Sequence, residues 1–128
     1  MSSRETFDRY VAAWGTVDIA QIAPFYGFPS LFVSPAIHAV VRDREELIAL
    51  IEPIVAGMKA SDYARSDVAD VQVRALGANL EEVVCEITRF NRAGDPILRA
   101  NGAYFWRRDA EDWRLIATFA GDPVAGEL

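Results

Sequence analysis

The sequence contains one cysteine and one histidine, and this scarcity excludes several kinds of site. Cys85 alone cannot form a disulfide within the chain, which is typical of a protein from the reducing cytoplasm. With His38 as its only companion, it cannot complete the ligand set of a zinc-type site. Since no Asp-rich loop has the ligand spacing of a calcium or magnesium site, we expect no metal.

Phosphate loops, long apolar runs and excess positive charge are also lacking. The eight glycines are scattered singly, so no glycine-rich loop is present to hold a nucleotide, and we expect no cofactor. No apolar run approaches the ~20 residues that span a bilayer, and the N-terminus has no apolar segment typical of a secretory signal. The net charge of -6 argues against nucleic acid and anionic membranes as partners.

What remains is a cytoplasmic globular composition: 128 residues with 52% apolar side chains, read as one domain over residues 1–128. Ser2 and Glu5 have the spacing of a capping box that starts a first helix. Phe7, Tyr10 and Trp14 then recur on one face of this helix. The next cap, Asp18, predicts a second, short helix, which ends by about residue 26.

A strand and a third helix follow. Residues 30–34 predict a strand closed by Pro35. Asp43 has the position of a cap for a helix whose apolar stripe continues beyond Pro53, which predicts a kink there rather than an end. The stripe consists of Leu47, Leu50, Ile51, Ile54, Val55 and Met58.

From about Tyr63 the apolar period changes to two, which indicates strands at 67–76, 80–91, 97–107 and 113–120. The connections between them are too short for parallel crossovers, so we expect an antiparallel meander. The last two strands are apolar on both faces, whereas a sheet with one wet face should alternate. We therefore expect the outer face to be covered by a second copy of the chain, although scattered exposed aromatics are the simpler alternative.

Two stretches carry a resemblance to a known family: RYVAAWGTVDI followed by FYGFPSLFVSP, and GAYFWRRDAEDWRLIATFAGDP. The order helix, helix, strand, helix and meander resembles the NTF2-like superfamily, which includes the SnoaL-like cyclases and ketosteroid isomerase. The resemblance covers residues 7–122. It implies an α+β cone, in which three N-terminal helices pack on a curved antiparallel sheet around an apolar pocket.

The resemblance also implies roles at single positions. Tyr10 matches the oxyanion-donating tyrosine of the isomerase-like pattern. The position of its catalytic base falls on Ser34, and that of its late-strand Asp falls on Ala103, so two of the three groups are lost. His38 is then the only side chain suited to act as a base near neutral pH. Core packing for Tyr10, a strand end at Ser34 and a solvent-facing role for His38 are the alternatives.

The pocket wall depends on the hairpin register. A three-residue loop at 93–95 pairs Ile87 with Asn101 and turns Arg89 towards the pocket, whereas a two-residue loop reverses both faces. Asn101 is then either a ligand contact or a structural bridge. With the first register, the predicted substrate-binding residues are Trp14, Phe32, Ser34, Arg89, Asn101, Ala103, Phe105, Ile116 and Thr118.

Two functions fit this pattern. The first is a cofactor-free enzyme that isomerises, cyclises, dehydrates or hydrolyses a small apolar organic molecule, with Tyr10 and His38 as catalytic residues. The second is a binding or dimerisation module without catalysis, because a fold alone does not imply a function. A titratable group beside Tyr10 would favour the enzyme, and a lining of hydroxyls and amides would favour binding.

Overall fold

The structure, a computed structural model, describes residues 1–122. Helix α1 spans Ser3–Gly15, and its N-terminus is closed by the predicted capping box of Ser2 and Glu5. Helix α2 spans Ile19–Ile22 behind the Asp18 cap and continues as a 3-10 turn over Ala23–Phe25. The predicted first and second helices are therefore confirmed.

Helix α3 spans Arg44–Ala60, with the side chain of Asp43 accepting a hydrogen bond from the Glu46 N–H. The helix runs through Pro53, as its uninterrupted apolar stripe indicates. Pro53 is exposed, so its ring does not disturb the buried side of the helix. Among the described residues, no helix has the length and apolar character needed to cross a membrane.

One six-stranded sheet forms the other layer. The strands are β1 (Tyr26–Val33), β2 (His38–Val41), β3 (Tyr63–Gly77), β4 (Leu80–Asn91), β5 (Pro96–Asp109) and β6 (Asp112–Gly121). Their order is β2-β1-β6-β5-β4-β3, so β3 to β6 form the predicted antiparallel meander. β1 pairs in parallel with β6 and antiparallel with β2, a short strand that the sequence did not indicate.

Two register shifts decide which side chains face the helices. Arg89 pairs with Leu98, but Phe90 pairs with Pro96, which leaves Ile97 as an extra residue in β5. Ile87 consequently lies opposite Ala100, and the predicted pairing of Ile87 with Asn101 is wrong. An extra residue shifts the register by one, and a shift by one exchanges the two faces of a strand.

The second shift lies in β6. Trp106 pairs with Leu115, whereas Phe105 pairs with Ala117, so Ile116 is an extra residue between them. Trp113 and Leu115 before this bulge are buried in the core, and Thr118 after it lines the cavity described below. A strict alternation across the whole strand, as the sequence suggested, does not exist.

The core lies between the three helices and the inner face of the sheet. Phe7 from α1, Leu47 and Ile51 from α3, and Trp106 and Leu115 from the sheet are all fully buried. Burying a large apolar side chain contributes about 1.5–3 kcal/mol each, so these residues hold the layers together. The helices close one end of the cone, and the other end retains a hollow.

Candidate functional site

A cavity of about 320 Å³ lies between α1, α3 and the inner face of the sheet. Such a volume is within the range of small-molecule sites. Its walls are mainly apolar and aromatic, with a few polar side chains. The lining residues are Tyr10, Val11, Trp14, Tyr26, Phe32, Val33, Ser34, Ile37, Ile54, Ser66, Ile87, Arg89, Leu98, Tyr104, Thr118 and Ala120.

The pairing of the strands sets the depth of each wall residue. Ser66, Arg89 and Leu98 form one row across β3, β4 and β5. Leu98 is 39% exposed, which places this row at the rim of the cavity. Tyr104 pairs with Thr118 and with the fully buried Val83, so this row lies at the inner end. The cavity thus passes from a rim with one charged residue to an inner end of tyrosine rings.

Three tyrosines line the inner end. The hydroxyls of Tyr10 and Tyr26 lie 2.7 Å apart and share a hydrogen bond. The Tyr10 ring packs edge-on against Tyr26, Tyr104 and Trp14, with centroids 5.8 to 6.4 Å apart. These are favourable aromatic geometries. Tyr10 therefore belongs to the core and, at the same time, to the wall of the cavity.

The ring of Tyr104 leans along its own strand. A Cβ atom added to Gly102 would lie 2.6 Å from Tyr104 Cε2 and 2.9 Å from its hydroxyl oxygen. The ring thus covers the bare backbone of Gly102, and its hydroxyl points from position 104 towards the rim. Only glycine leaves room for this arrangement.

Arg89 is the one arginine among the lining residues, and its side chain is half-buried. Its guanidinium carbon lies 5.5 Å from the centroid of the Trp14 ring, a cation–π contact. In residues 1–122 no carboxylate forms an ion pair with it. A positive charge on an aromatic support therefore faces the cavity without a compensating anion from that part of the chain.

Burial controls the ionisation of the tyrosines. Burial raises the pKa of Tyr10 well above its usual value, and the adjacent Tyr26 raises it further. Burial likewise raises the pKa of Tyr26 and of Tyr104. The Arg89 charge lowers the pKa of Tyr10 and Tyr104, but this effect is smaller than that of burial. All three remain neutral phenols near pH 7 and can donate a hydrogen bond.

Three smaller hydroxyls complete the polar lining. Ser34 accepts hydrogen bonds from the backbone N–H groups of Ala36 and Ile37, so it also closes the turn between β1 and β2. The Ser66 hydroxyl lies 2.8 Å from that of Tyr63. Thr118 differs, because its buried Oγ1 has no hydrogen-bond partner among the described residues. A buried polar atom without a partner is unfavourable, and a ligand could satisfy it.

The structure brings together six of the residues that the sequence suggested: Tyr10, Trp14, Phe32, Ser34, Arg89 and Thr118 all line the cavity. It places the other five elsewhere. His38 begins β2 with an exposed side chain and is not part of the lining, so the solvent-facing alternative describes its position and the cavity lacks the predicted base. The strand that carries it turns it outwards to solvent.

The remaining corrections concern β5 and β6. Asn101, Ala103 and Phe105 lie on the outer face of β5, because the extra residue Ile97 changes the register. Phe105 packs edge-on against Phe119, which is 37% exposed. Ile116 is the bulged residue of β6 and lies beside Gly27 rather than in the cavity. The predicted match of Ala103 to an inward Asp is therefore also wrong, since Gly102 and Tyr104 are the inward residues there.

Sequence reasoning missed the two tyrosines that matter most at the inner end. Tyr26 belongs to β1, which starts four residues before the predicted strand. Tyr104 lies between Ala103 and Phe105, which were predicted to face the pocket, so the predicted register implied an outward Tyr104, whereas Tyr104 lines the cavity. The aromatic residues at 104–106 indicated a cavity wall. Which of them face inwards depends on the bulge in β5, and the sequence does not show that bulge.

The described residues contain no group of three or more His, Cys, Asp or Glu side chains that could bind a metal ion. The single cysteine, Cys85, is buried on the inner face of β4. Burial raises the pKa of its thiol to about 11, which keeps it protonated and unreactive at neutral pH. Among the described lining residues, only Arg89 carries a charge near pH 7.

Comparison with known families agrees with this architecture. A family model described as NTF2-like protein (DUF6841) matches residues 2–123. The chain belongs to the NTF2-like family. The α+β cone that the sequence motifs implied is confirmed by this match and by the three helices on a curved six-stranded sheet. No curated protein matches the chain.

Solved structures of NTF2-like type are similar in fold. An NTF2-like protein with a cystatin-like fold from Novosphingobium aromaticivorans is 16% identical, with 96% of this chain and 80% of that chain covered and a TM-score of 0.76. A candidate calcium/calmodulin-dependent protein kinase type II association domain from Thiobacillus denitrificans is 15% identical, with 96% of each chain covered and a TM-score of 0.79.

A candidate ketosteroid isomerase from Parabacteroides distasonis is 13% identical, with 98% of this chain and 87% of that chain covered and a TM-score of 0.69. These three proteins bear different descriptions on one fold. At such identities the likeness shows the fold alone, so the function of this NTF2-like chain has to be argued from its own cavity.

Proposed function

We propose that this NTF2-like domain binds a small, largely apolar organic molecule in the cavity and does not act on it by acid–base catalysis. The observation that carries the proposal is the chemistry of the lining. Aromatic and aliphatic side chains from α1, α3 and four strands surround a hollow of about 320 Å³. Apolar walls with a few placed polar groups are typical of ligand sites.

The acid–base hypothesis depended on His38, and His38 lies outside the cavity. Among residues 1–122, the lining contains no Asp, Glu, His or Lys. Its tyrosines have raised pKa values because of burial, which makes them hydrogen-bond donors rather than bases near pH 7. The groups in the lining can orient a ligand oxygen but have no ready means of removing a proton from carbon.

The test is binding of a neutral aromatic probe, 2-acetylnaphthalene, measured by isothermal titration calorimetry. One probe molecule should bind per chain. Ile54→Trp, which adds bulk to the cavity wall on α3, should weaken binding at least about tenfold. Ala49→Trp is the matched control, because Ala49 is exposed on the same helix and absent from the lining. Equal binding by both variants would contradict the proposal.

The outer face of the sheet supports a second proposal, a homodimer. Val84, Asn101, Ala103 and Phe119 border a shallow, mainly apolar groove on this face, and Phe105 packs against Phe119 beside it. An exposed apolar patch on a sheet is typically covered by a partner. A second copy is the partner that brings an identical apolar face.

The single buried thiol of Cys85 suits a reducing compartment, and a cytoplasmic location stays a prediction.

A further inference from the structure

Two arginines in the described part of β3 to β5 have no carboxylate partner, Arg89 and Arg108. Arg108 is exposed and contacts Trp113 and Asn79, whereas Arg89 lines the cavity. Five other arginines of this region have carboxylate partners: Arg65 with Asp67, Arg74 with Glu82, Arg92 with Asp62, Arg99 with Glu86 and Arg107 with Asp109. Their N–O distances are 3.3, 3.1, 3.3, 2.7 and 3.4 Å. Arg89, the inward arginine of the same region, has no such partner in residues 1–122.

A half-buried guanidinium without an anion is costly, because it loses water without gaining a compensating charge. The protein offsets part of this cost with the face of Trp14, whose ring centroid lies 5.5 Å from Arg89 Cζ. Because Arg89 lines the cavity, its guanidinium can offer N–H donors to a ligand there. A planar fork of N–H donors matches the two oxygens of a carboxylate.

The neighbours of Arg89 limit the rest of the ligand. Ser66 and Leu98 flank it in the rim row, and the tyrosine rings lie deeper. The Tyr104 hydroxyl leans over Gly102 towards the rim, so it is a neutral donor on the side of the tyrosine rings that faces Arg89. One cation with neutral donors balances a single negative charge, whereas a phosphate dianion calls for more positive charge than this lining contains.

We infer that the ligand is an aromatic or aliphatic carboxylic acid whose carboxylate binds Arg89 at the rim, with its apolar part against Trp14, Tyr10 and Tyr104. The inference rests on the proposed binding function and adds the chemical class of the ligand. It assigns Arg89 as the residue that selects for an acid. Because the side chains at the inner end are neutral tyrosines, a ligand with a second charged group at that end should bind poorly.

The test compares four probes with one ring system by calorimetry at pH 7.5 and low salt. They are 2-naphthylacetate, its neutral primary amide, 2-(2-naphthyl)ethylamine and 2-naphthylmethylphosphonate. We expect the carboxylate to bind at least about tenfold more tightly than the amide, since charge-assisted hydrogen bonds exceed neutral ones. The amine should bind most weakly, because it brings a positive charge to Arg89.

Variants test whether Arg89 causes the preference for the carboxylate over the amide. Arg89→Gln should abolish the difference between carboxylate and amide, and Arg89→Lys should retain part of it. Arg99→Gln removes one positive charge from the outer face and should leave the preference unchanged, which controls for net charge. Circular dichroism checks that each variant is folded. If a variant does not fold, the comparison of the four probes on the unmodified protein still tests the inference.

The outcomes separate the two claims. If the amide binds as tightly as the carboxylate, the cavity still binds apolar molecules but the inference of an acid is wrong. Tighter binding of the phosphonate than of the carboxylate, or an undiminished preference in Arg89→Gln, would also overturn it. If neither these probes nor 2-acetylnaphthalene bind, the proposed function fails, and the inference fails with it.

Discussion

Tyr10 in α1 and Tyr26 at the start of β1 are joined by a hydrogen bond of 2.7 Å between their hydroxyls, and both side chains are buried. The pair connects the first helix to the sheet at the inner end of the cavity. Each hydroxyl satisfies the other, so neither is left without a partner in the core. The pair therefore contributes to stability as well as to the shape of the site.

Tyr10→Phe and Tyr26→Phe should each lower the free energy of unfolding by about 1–2 kcal/mol, because each leaves one buried hydroxyl without its partner. The double variant should lose less than the sum of the two, since it removes both hydroxyls together. Urea unfolding followed by circular dichroism measures this double-mutant cycle. Strict additivity would show that the two hydroxyls do not depend on each other.

Alkaline pH should destabilise the protein from about pH 9 upwards. Burial raises the pKa of Cys85 to about 11 and raises the pKa of Tyr10, Tyr26 and Tyr104 above their usual value near 10. Above about pH 9, the thiol and the phenols of the unfolded chain lose protons that the same groups retain in the folded chain. Stability contributed by these neutral groups is complete below about pH 8 and decreases as pH rises.

The measurement is the free energy of unfolding between pH 7 and pH 10.5, together with tyrosinate absorbance at 295 nm. We expect part of the absorbance increase to coincide with unfolding, whereas the chain in concentrated urea should titrate near pH 10 throughout. Full tyrosinate absorbance in a chain that is still folded would contradict the burial of these hydroxyls.

Gly102→Ala should displace the Tyr104 ring, because the new Cβ would lie 2.6 Å from Tyr104 Cε2. We expect a loss of about 1–3 kcal/mol in unfolding free energy and weaker binding of 2-naphthylacetate. Gly77→Ala is the control, since a Cβ there meets no atom within 4 Å. In a Tyr104→Leu background the cost of Gly102→Ala should shrink, and an equal cost in both backgrounds would rule out the ring as its cause.

Phe119→Arg should separate the proposed homodimer. Phe119 is 37% exposed on the outer face, where an arginine would bring a charge into an apolar interface. Analytical ultracentrifugation should show a dimer for the natural chain and a monomer for the variant. Val40→Arg is the control, because Val40 is 55% exposed but lies on the edge strand β2. A natural chain that sediments as a monomer would refute the dimer.

Local signals were sufficient for the helices and for the antiparallel meander of β3 to β6, but not for the parallel pairing of β1 with β6. The caps at Ser2, Asp18 and Asp43 and the 3.6-residue apolar period place the three helices, because both depend on neighbours in sequence. The meander followed from short connections between strands of period two. β2 was missed because four residues between Pro35 and Asp43 carry too little pattern to indicate a strand.

The faces of the last strands could not be read in the same way. Because Ile97 is an extra residue in β5, Asn101, Ala103 and Phe105 face outwards. No residue type in the preceding loop is typical of such a bulge. On α1 and β1, by contrast, Tyr10 and Phe32 reached the cavity as the motifs implied. A helix face follows from the spacing of its apolar residues, whereas the face of a strand residue also depends on whether a bulge adds a residue before it.

The bulge at Ile116 gives the two halves of β6 different evolutionary freedom. Substitutions before it, at Trp113 or Leu115, act on packing at the closed end and are constrained by folding. Substitutions after it, at Thr118 or Ala120, change the wall of the cavity. If the proposed binding function holds, the chemistry of the cavity wall can therefore be altered in one half of the strand while the other half continues to pack the core.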